Sequence, residues 1–477
     1  MSERPIPEAL REELSDWRRW AARAVVLVFA ALSGLSVVAL TWLGEEALEL
    51  FYALQERAWW SPLLWTPLCT ALVVWAVRRW CPGAGGSGIP QVLAAMEPGQ
   101  SPQERRRFVS LSMSLAKILG TAGSLVAGLT VGREGPSVQV AAGVMHHARR
   151  WLPDRTAINE HGLMVAGGAA GVAAAFNTPL GGVMFAIEEL TRRPEQRSSG
   201  LLMAAIVLAG LMGVSVYGNN AYFGVIQVPS LSWSLFLPGL LVALLSGLAG
   251  GLFSRLLIRS LTGVSTDRFS QWRRRFPIRF AAGCGFFVAV IGVVSHGATL
   301  GSGYQPTRLL LEGHDTTSAL YVPLRFISSW LSAWSGAPGG IFAPCLAIGA
   351  GIGSDVATWT GHPAATALIA LGMVGFLAAA TQTPITAFII VMEMVDGHTM
   401  VLSLMACALL ASGVSRLLGP SLYTQLAAHM LGLPGDGAGH GAPTTSGSGP
   451  SSDPASAQPP VPAADPVSDK ASPPAPQ

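Results

Sequence analysis

Charge is what this chain has least of. Its 30 Lys+Arg and 27 Asp+Glu make up 12% of 477 residues, about half of the roughly 25% found in a soluble domain. A soluble multidomain enzyme of this length needs more charge to stay dispersed, so that class is excluded. Cysteine is scarce as well: Cys69, Cys81, Cys284, Cys345 and Cys407 are odd in number, scattered, and mostly set in apolar stretches. They provide neither a disulfide framework nor a metal-binding spacing, and read as buried free thiols. Net charge is only +3 and no basic run is interleaved with aromatics, so no nucleic-acid partner is expected.

What the chain has instead is apolar length. Half of its residues are hydrophobic and its mean hydropathy is +0.46. Residues Ala24 to Leu43 form a 20-residue uncharged run, about the length that spans a hydrocarbon core. No small-residue cleavage site follows, so this run reads as a retained first span within the lipid bilayer rather than a signal peptide. Further uncharged runs cover 62–77, 162–187, 198–254, 280–307, 326–354, 356–392 and 397–415. The run at 198–254 must hold at least two spans, broken near Tyr217-Gly218-Asn219-Asn220. The chain is therefore an all-α polytopic membrane protein.

Arginine sets the orientation. Arg18, Arg19 and Arg23 precede the first span, and Arg78 and Arg79 follow the second. The loop expected between them carries Glu45, Glu46, Glu49 and Glu56 against Arg57. This places the N-terminal segment 1–23 in the cytoplasm, together with Arg105-Arg106-Arg107, Arg192-Arg193 and Arg273-Arg274-Arg275. The membrane part then occupies 24–433. The tail, 434–477, holds 11 Pro and no Leu, Ile, Phe, Met or Trp, a composition that points to disorder. The Ala- and Arg-rich style fits a bacterial inner membrane.

Within the membrane part the sequence echoes itself. Ala173-Ala174-Ala175-Phe176-Asn177-Thr178-Pro179 resembles Ala378-Ala379-Ala380-Thr381-Gln382-Thr383-Pro384 at an offset of 205. Each is followed by an apolar segment reaching a carboxylate at the same distance, Glu188 in one copy and Glu393 in the other. Gly132 to Pro136 aligns with Gly340 to Pro344 at an offset of 208. Two halves, each carrying a Gly-x-x-x-Pro turn inside an apolar region, suggest a repeat-built transporter.

Those turns carry the chemistry. Irregular backbone at membrane depth survives only where it lines a cavity or a ligand site. A Pro shortly after Gly suits the first turn of a new helix, whose leading N–H groups lack internal partners and whose dipole attracts anions. Three such starts occur: Gly85 to Pro90, Gly132 to Pro136, and Gly339 to Pro344. Converged, they would bind an anion without a fixed cation, which suits an ion that must leave again. Glu134 lies inside the second start, where a carboxylate at bilayer depth is a functional candidate. An ion pair with its neighbour Arg133 is the alternative. Glu189 closes the segment that begins at Pro179, just before Arg192-Arg193. A solvated ion pair with those arginines is the alternative there. Lys117 sits between apolar runs, either adding positive potential to an anion path or snorkelling to the interface.

The segments GSGIP (Gly86, Ser87, Gly88, Ile89, Pro90), GREGP (Gly132, Arg133, Glu134, Gly135, Pro136) and GIFAP (Gly340, Ile341, Phe342, Ala343, Pro344), with the late Leu422-Tyr423, resemble the signature segments of the CLC family. That family comprises chloride channels and proton-coupled chloride antiporters. The resemblance runs from about residue 24 to residue 430. It implies two inverted-topology halves with many tilted and broken helices, and a homodimer whose subunits each have an anion pathway. No cofactor is implied beyond chloride as the bound and transported ion. The hydroxyls of Ser87 and Tyr423 and the backbone amides of Ile341 and Phe342 would hold the central anion. A Ser at position 87 resembles the chloride-selecting members rather than nitrate or fluoride transporters. Ser87 also fits a helix N-cap, a compatible role. Glu134 would be gate and outer proton carrier, and Glu189 the inner proton acceptor that distinguishes antiporters from passive channels. Gly85-Gly86-Ser87-Gly88 also matches the G-x-S-G of intramembrane serine proteases, with His296 as a conceivable base. That reading leaves Glu134, GIFAP and the repeat unexplained.

Overall fold

The computed structural model describes residues 17–153, 158–191, 200–218, 222–223, 233–263, 267–313 and 318–433. The tail at 434–477, Arg192-Arg193 and Asn219-Asn220 lie outside the described residues, as do residues 1–16 of the N-terminal segment. Among the described residues the chain is helical and contains no strand, only an isolated bridge between Gly132 and Gly340.

The first helix, α1 (Trp17–Arg57), differs from expectation. It begins before the uncharged run and continues through Glu45, Glu46, Glu49 and Glu56, so the acid-rich stretch is helix rather than loop. No proline occurs between Trp17 and Ser61 to stop it. At 1.5 Å per residue its 41 residues reach about 60 Å, roughly twice the hydrocarbon thickness and more than a single crossing needs.

The rest of the first half comprises α2 (Pro62–Trp80), α3 (Ile89–Met96), α4 (Pro102–Phe108), α5 (Leu111–Val126), α6 (Glu134–His147), α7 (Glu160–Phe176) and α8 (Pro179–Phe185). The run at 198–254 divides as expected, into α9 (Gly200–Tyr217) and the start of α10 (Phe236–Thr262). There follow α11 (Arg268–Arg275), α12 (Pro277–Val294), α13 (Tyr304–Leu311), α14 (Tyr321–Trp334), α15 (Phe342–Thr360), α16 (Ala365–Thr381), α17 (Pro384–Met394), α18 (Val401–Leu418) and α19 (Leu422–Met430). Among the described residues six segments are long and apolar enough to cross a membrane. The uncharged runs at 162–187, 280–307 and 326–354 each hold parts of two helices, and the run at 356–392 takes in the end of α15, α16 and most of α17. Proline, glycine or both mark each break, because Pro is tolerated in a first helical turn but not in mid-helix.

The internal echo is structural. Helices α6, α7 and α8 correspond to α15, α16 and α17, with α6 packed on α7 and α15 packed on α16. Small residues permit the close approach. A Cβ on Gly171 would lie 2.5 Å from Ser137 O, and one on Gly349 would lie 2.2 Å from Gly372 O. α7 ends at Asn177 and α16 at Gln382, both left-handed, with φ of 57° and 60°. The next helices start at Pro179 and Pro384.

The two halves grip each other reciprocally. The Glu393 carboxylate accepts from the N–H groups of Leu180 (3.2 Å) and Gly181 (2.8 Å). Glu188 accepts from Ile385 (3.1 Å) and Thr386 (2.6 Å). Each residue in one contact is the repeat equivalent of a residue in the other. Gly132 and Gly340 likewise exchange N–H···O bonds of 2.8 and 2.7 Å. Self-complementary contacts of this kind are the mark of a local two-fold axis.

Candidate anion and proton site

The three Gly-rich turns meet. Gly339 N–H donates to Gly86 O at 3.1 Å, tying the third turn to the first, and the Gly132–Gly340 pair ties the third to the second. A Cβ on Gly135 would stand 2.5 Å from Ser87 Oγ and 3.3 Å from Gly340 Cα. The N-termini of α3, α6 and α15 therefore converge, and with them their unpaired N–H groups and positive dipole ends. Ile341 is the N-cap of α15 and Phe342 its first residue, so the amides of both belong to that terminus.

The first turn is held by side chains that sequence reasoning passed over or misplaced. Gly88 N–H donates to Gln91 Oε1 at 2.9 Å, and Gln91 Nε2 bonds Gly85 O. Gly88 has a φ of 112°, in the region that favours glycine. Lys117 does not snorkel: it is fully buried, and its Nζ donates to Ala84 O (2.9 Å) and Gly86 O (2.6 Å). The Gly88-x-x-Gln91 spacing was the one signal in the sequence, since it resembles a capping box.

Ser87 is not the N-cap of α3. The helix begins one residue later than that role requires, with Gly88 as N-cap. Its Oγ is buried and makes no hydrogen bond among the described residues, so no base such as His296 engages it. The Tyr423 hydroxyl is likewise buried and lies beside Ser87, close enough for the two hydroxyls to interact but without hydrogen-bond geometry. Tyr423 sits in the first turn of α19, 1% exposed, and its ring stacks on Phe342 with centroids 6.3 Å apart and planes 12° apart. It is no interfacial aromatic. Buried hydroxyls ordinarily find partners. Two that do not, next to converging helix N-termini, are donors suited to an anion.

Glu134 is the first residue of α6 and is 2% exposed. The backbone N–H groups of Arg133, Glu134 and Ala343 are turned toward its carboxylate, and its Oε2 has no hydrogen bond. The Arg133 guanidinium is within electrostatic reach of Glu134 but makes its hydrogen bonds elsewhere. Its Nη1 bonds Glu45 (2.9 Å) and Thr41 O (3.3 Å), and its Nη2 bonds the Tyr222 hydroxyl (3.3 Å). Glu45, Arg133 and Tyr222 share the wall of a cavity of about 710 Å³. Glu189 is fully buried on a π-helical turn, Ala186–Leu190, that extends α8. Such turns often occur at functional sites. Tyr423 lies within electrostatic reach of both Glu134 and Glu189.

A family model described as voltage gated chloride channel matches residues 69–416. The chain belongs to this family. It is 30% identical over 441 residues to the H(+)/Cl(-) exchange transporter ClcA of Yersinia pestis, covering 85% of this chain and 88% of that protein. The counterpart from Salmonella paratyphi A is 30% identical over 372 residues, covering 74% and 76%. Among solved structures, a slow cyanobacterial Cl-/H+ antiporter superposes with a TM-score of 0.71 at 27% identity, over 86% of this chain and 97% of that one. A CLC-type fluoride/proton antiporter superposes with a TM-score of 0.69 over 86% and 99%, and at 21% identity it bears on the fold alone. The chain is thus a multi-pass transporter of the CLC type and not an enzyme, which disposes of the protease reading of Ser87.

Proposed function

We propose that this chain exchanges chloride for protons across a bacterial inner membrane, with its N-terminus in the cytoplasm and residues 24–433 as the transport domain. The observation that carries the site assignment is the convergence of three helix N-termini on the two unpaired hydroxyls of Ser87 and Tyr423, beside a buried Glu134. The named exchangers among the relatives support antiport over passive conduction.

In this reading chloride lies between the Ser87 and Tyr423 hydroxyls and the amides of Ile341 and Phe342. Partial charges from backbone and hydroxyls attract the ion without trapping it, as transport requires. The ionised Glu134 carboxylate is a tethered anion at the ends of α6 and α15, competing with chloride for the same N–H groups. Protonation removes its charge, the N–H groups no longer hold it, and chloride takes the position. The same side chain thus closes the path and carries the proton. Glu189, on the π turn and like Glu134 within electrostatic reach of Tyr423, takes protons from the cytoplasm. Each subunit of a homodimer would hold one such path.

The reading is tested with purified protein in liposomes. Glu134→Gln leaves chloride flux and abolishes proton movement, because glutamine can neither ionise nor carry a proton. Glu189→Gln also abolishes proton movement while chloride still passes. Proton coupling that survives either substitution would remove that residue from the mechanism.

A further inference from the structure

We propose that Glu45 is a positioning residue for the gate: it holds the Arg133 guanidinium against the cavity wall and so prevents an ion pair between Arg133 and Glu134. The inference rests on the reading of Glu134 as the gate. Arg133 is the N-cap and Glu134 the first residue of α6, and a guanidinium beside a buried carboxylate is its most obvious partner. Both terminal nitrogens of Arg133 are nevertheless engaged elsewhere, by Glu45, the Thr41 carbonyl and the Tyr222 hydroxyl. Glu45 and Thr41 both lie on α1, 88 and 92 residues before Arg133, so one helix supplies two of the three anchors.

Fold stability alone gives little reason for the pair. The Glu45 side chain is 47% exposed and that of Arg133 14%, and an ion pair with one partner open to water adds little to stability. Its consequence is geometric. A guanidinium turned onto Glu134 would stabilise the ionised carboxylate and oppose the protonation that opens the path. The remaining wall keeps Tyr222 in place to share the restraint: the Tyr304 hydroxyl donates to Tyr222 O at 3.0 Å, and the two rings pack edge to face. The titratable groups facing Arg133 and Glu134 are Glu45 of α1, Tyr217 of α9, Tyr222, Cys345 of α15 and Tyr423 of α19, with Tyr304 of α13 behind Tyr222. Glu49, Arg308 and Glu312 line the same cavity farther out, and the last two pair with each other at 2.7 Å.

The test is chloride flux in liposomes as external pH is varied at fixed internal pH. Releasing Arg133 by Glu45→Gln should move the external midpoint to lower pH by about half a unit, threefold in proton affinity. Glu45→Asp, which keeps the charge, should return the midpoint most of the way. In an Arg133→Gln background, Glu45→Gln should produce no further shift. An unmoved midpoint in Glu45→Gln overturns the proposal. So does a shift that persists without Arg133, because Glu45 would then act through its own charge. Glu134→Gln separates the two levels: if it keeps the wild-type dependence on external pH, the gate reading itself fails, whatever Glu45 does.

Discussion

Removing the Glu393 carboxylate tests the reciprocal grip between the halves. Glu393 accepts two backbone N–H groups, at 2.8 and 3.2 Å, from the first turn of α8. Hydrogen bonds to a charged group contribute about 1.5–3 kcal/mol each, and a carboxylate at a helix N-terminus adds about 0.3–1 kcal/mol. Glu393→Gln keeps one acceptor oxygen and should cost about 1–2 kcal/mol. Glu393→Ala leaves both N–H groups without a partner and should cost about 3 kcal/mol. For a chain of this size we take about 1–2 °C per kcal/mol, below the 2–4 °C of smaller domains, so the alanine variant should unfold about 3–6 °C lower. The assay is intrinsic tryptophan fluorescence of detergent-solubilised protein, heated at one fixed rate because such unfolding is governed by kinetics. Glu188→Ala should lose a similar amount, since its bonds to Ile385 and Thr386 are the repeat copy of the same contact. An unchanged midpoint in Glu393→Ala, or a loss confined to one of the two glutamates, would refute the reasoning.

Two further substitutions probe the converging turns. Gly135→Ala would place a methyl group 2.5 Å from Ser87 Oγ and 2.9 Å from Ser87 O. Chloride binding measured by titration calorimetry should weaken by tenfold or more in a protein that keeps its helical circular dichroism, and unchanged binding would count against the site. Lys117→Met removes the donor to the Ala84 and Gly86 carbonyls, each of which is left at a cost of about 1–3 kcal/mol. The first turn should loosen and chloride flux fall roughly tenfold, a loss of about 1.4 kcal/mol in the transport step; flux and thermal midpoint both at wild-type levels would show that Lys117 does not shape the turn.

How much of this was legible in the sequence depended on the range of the interaction involved. Proline and glycine act locally, so the starts of α3, α6, α8, α15 and α17 could be read directly, and the offset between Pro179 and Pro384 exposed the repeat. Hydropathy located apolar runs but could not divide them unaided, since α7 with α8 and α16 with α17 each fill one uncharged stretch. It also misjudged α1, whose glutamates sit on a helix that nothing interrupts before Ser61. The echo showed that Glu188 and Glu393 are equivalent, yet not that each caps the other's half, because a two-fold contact is invisible along one dimension. Arg133 illustrates the same limit. An ion pair with its sequence neighbour Glu134 was the alternative reading, but the chain brings Glu45 to it from α1. Lys117 finds backbone carbonyls, which no pattern of side chains reveals. Ser87 was recognised as a site residue, while its assignment as an N-cap failed by the one residue at which α3 begins.

The central claim is that Glu134 couples the movement of chloride to that of protons. Liposomes loaded with high chloride, at equal pH on both sides and with the membrane potential held at zero, test it most directly. Outward chloride flow should drive protons inward and acidify the interior through the wild-type protein, while Glu134→Gln should pass chloride with no pH change. Chloride flow without proton movement in the wild type, or the same proton movement in Glu134→Gln, would contradict it.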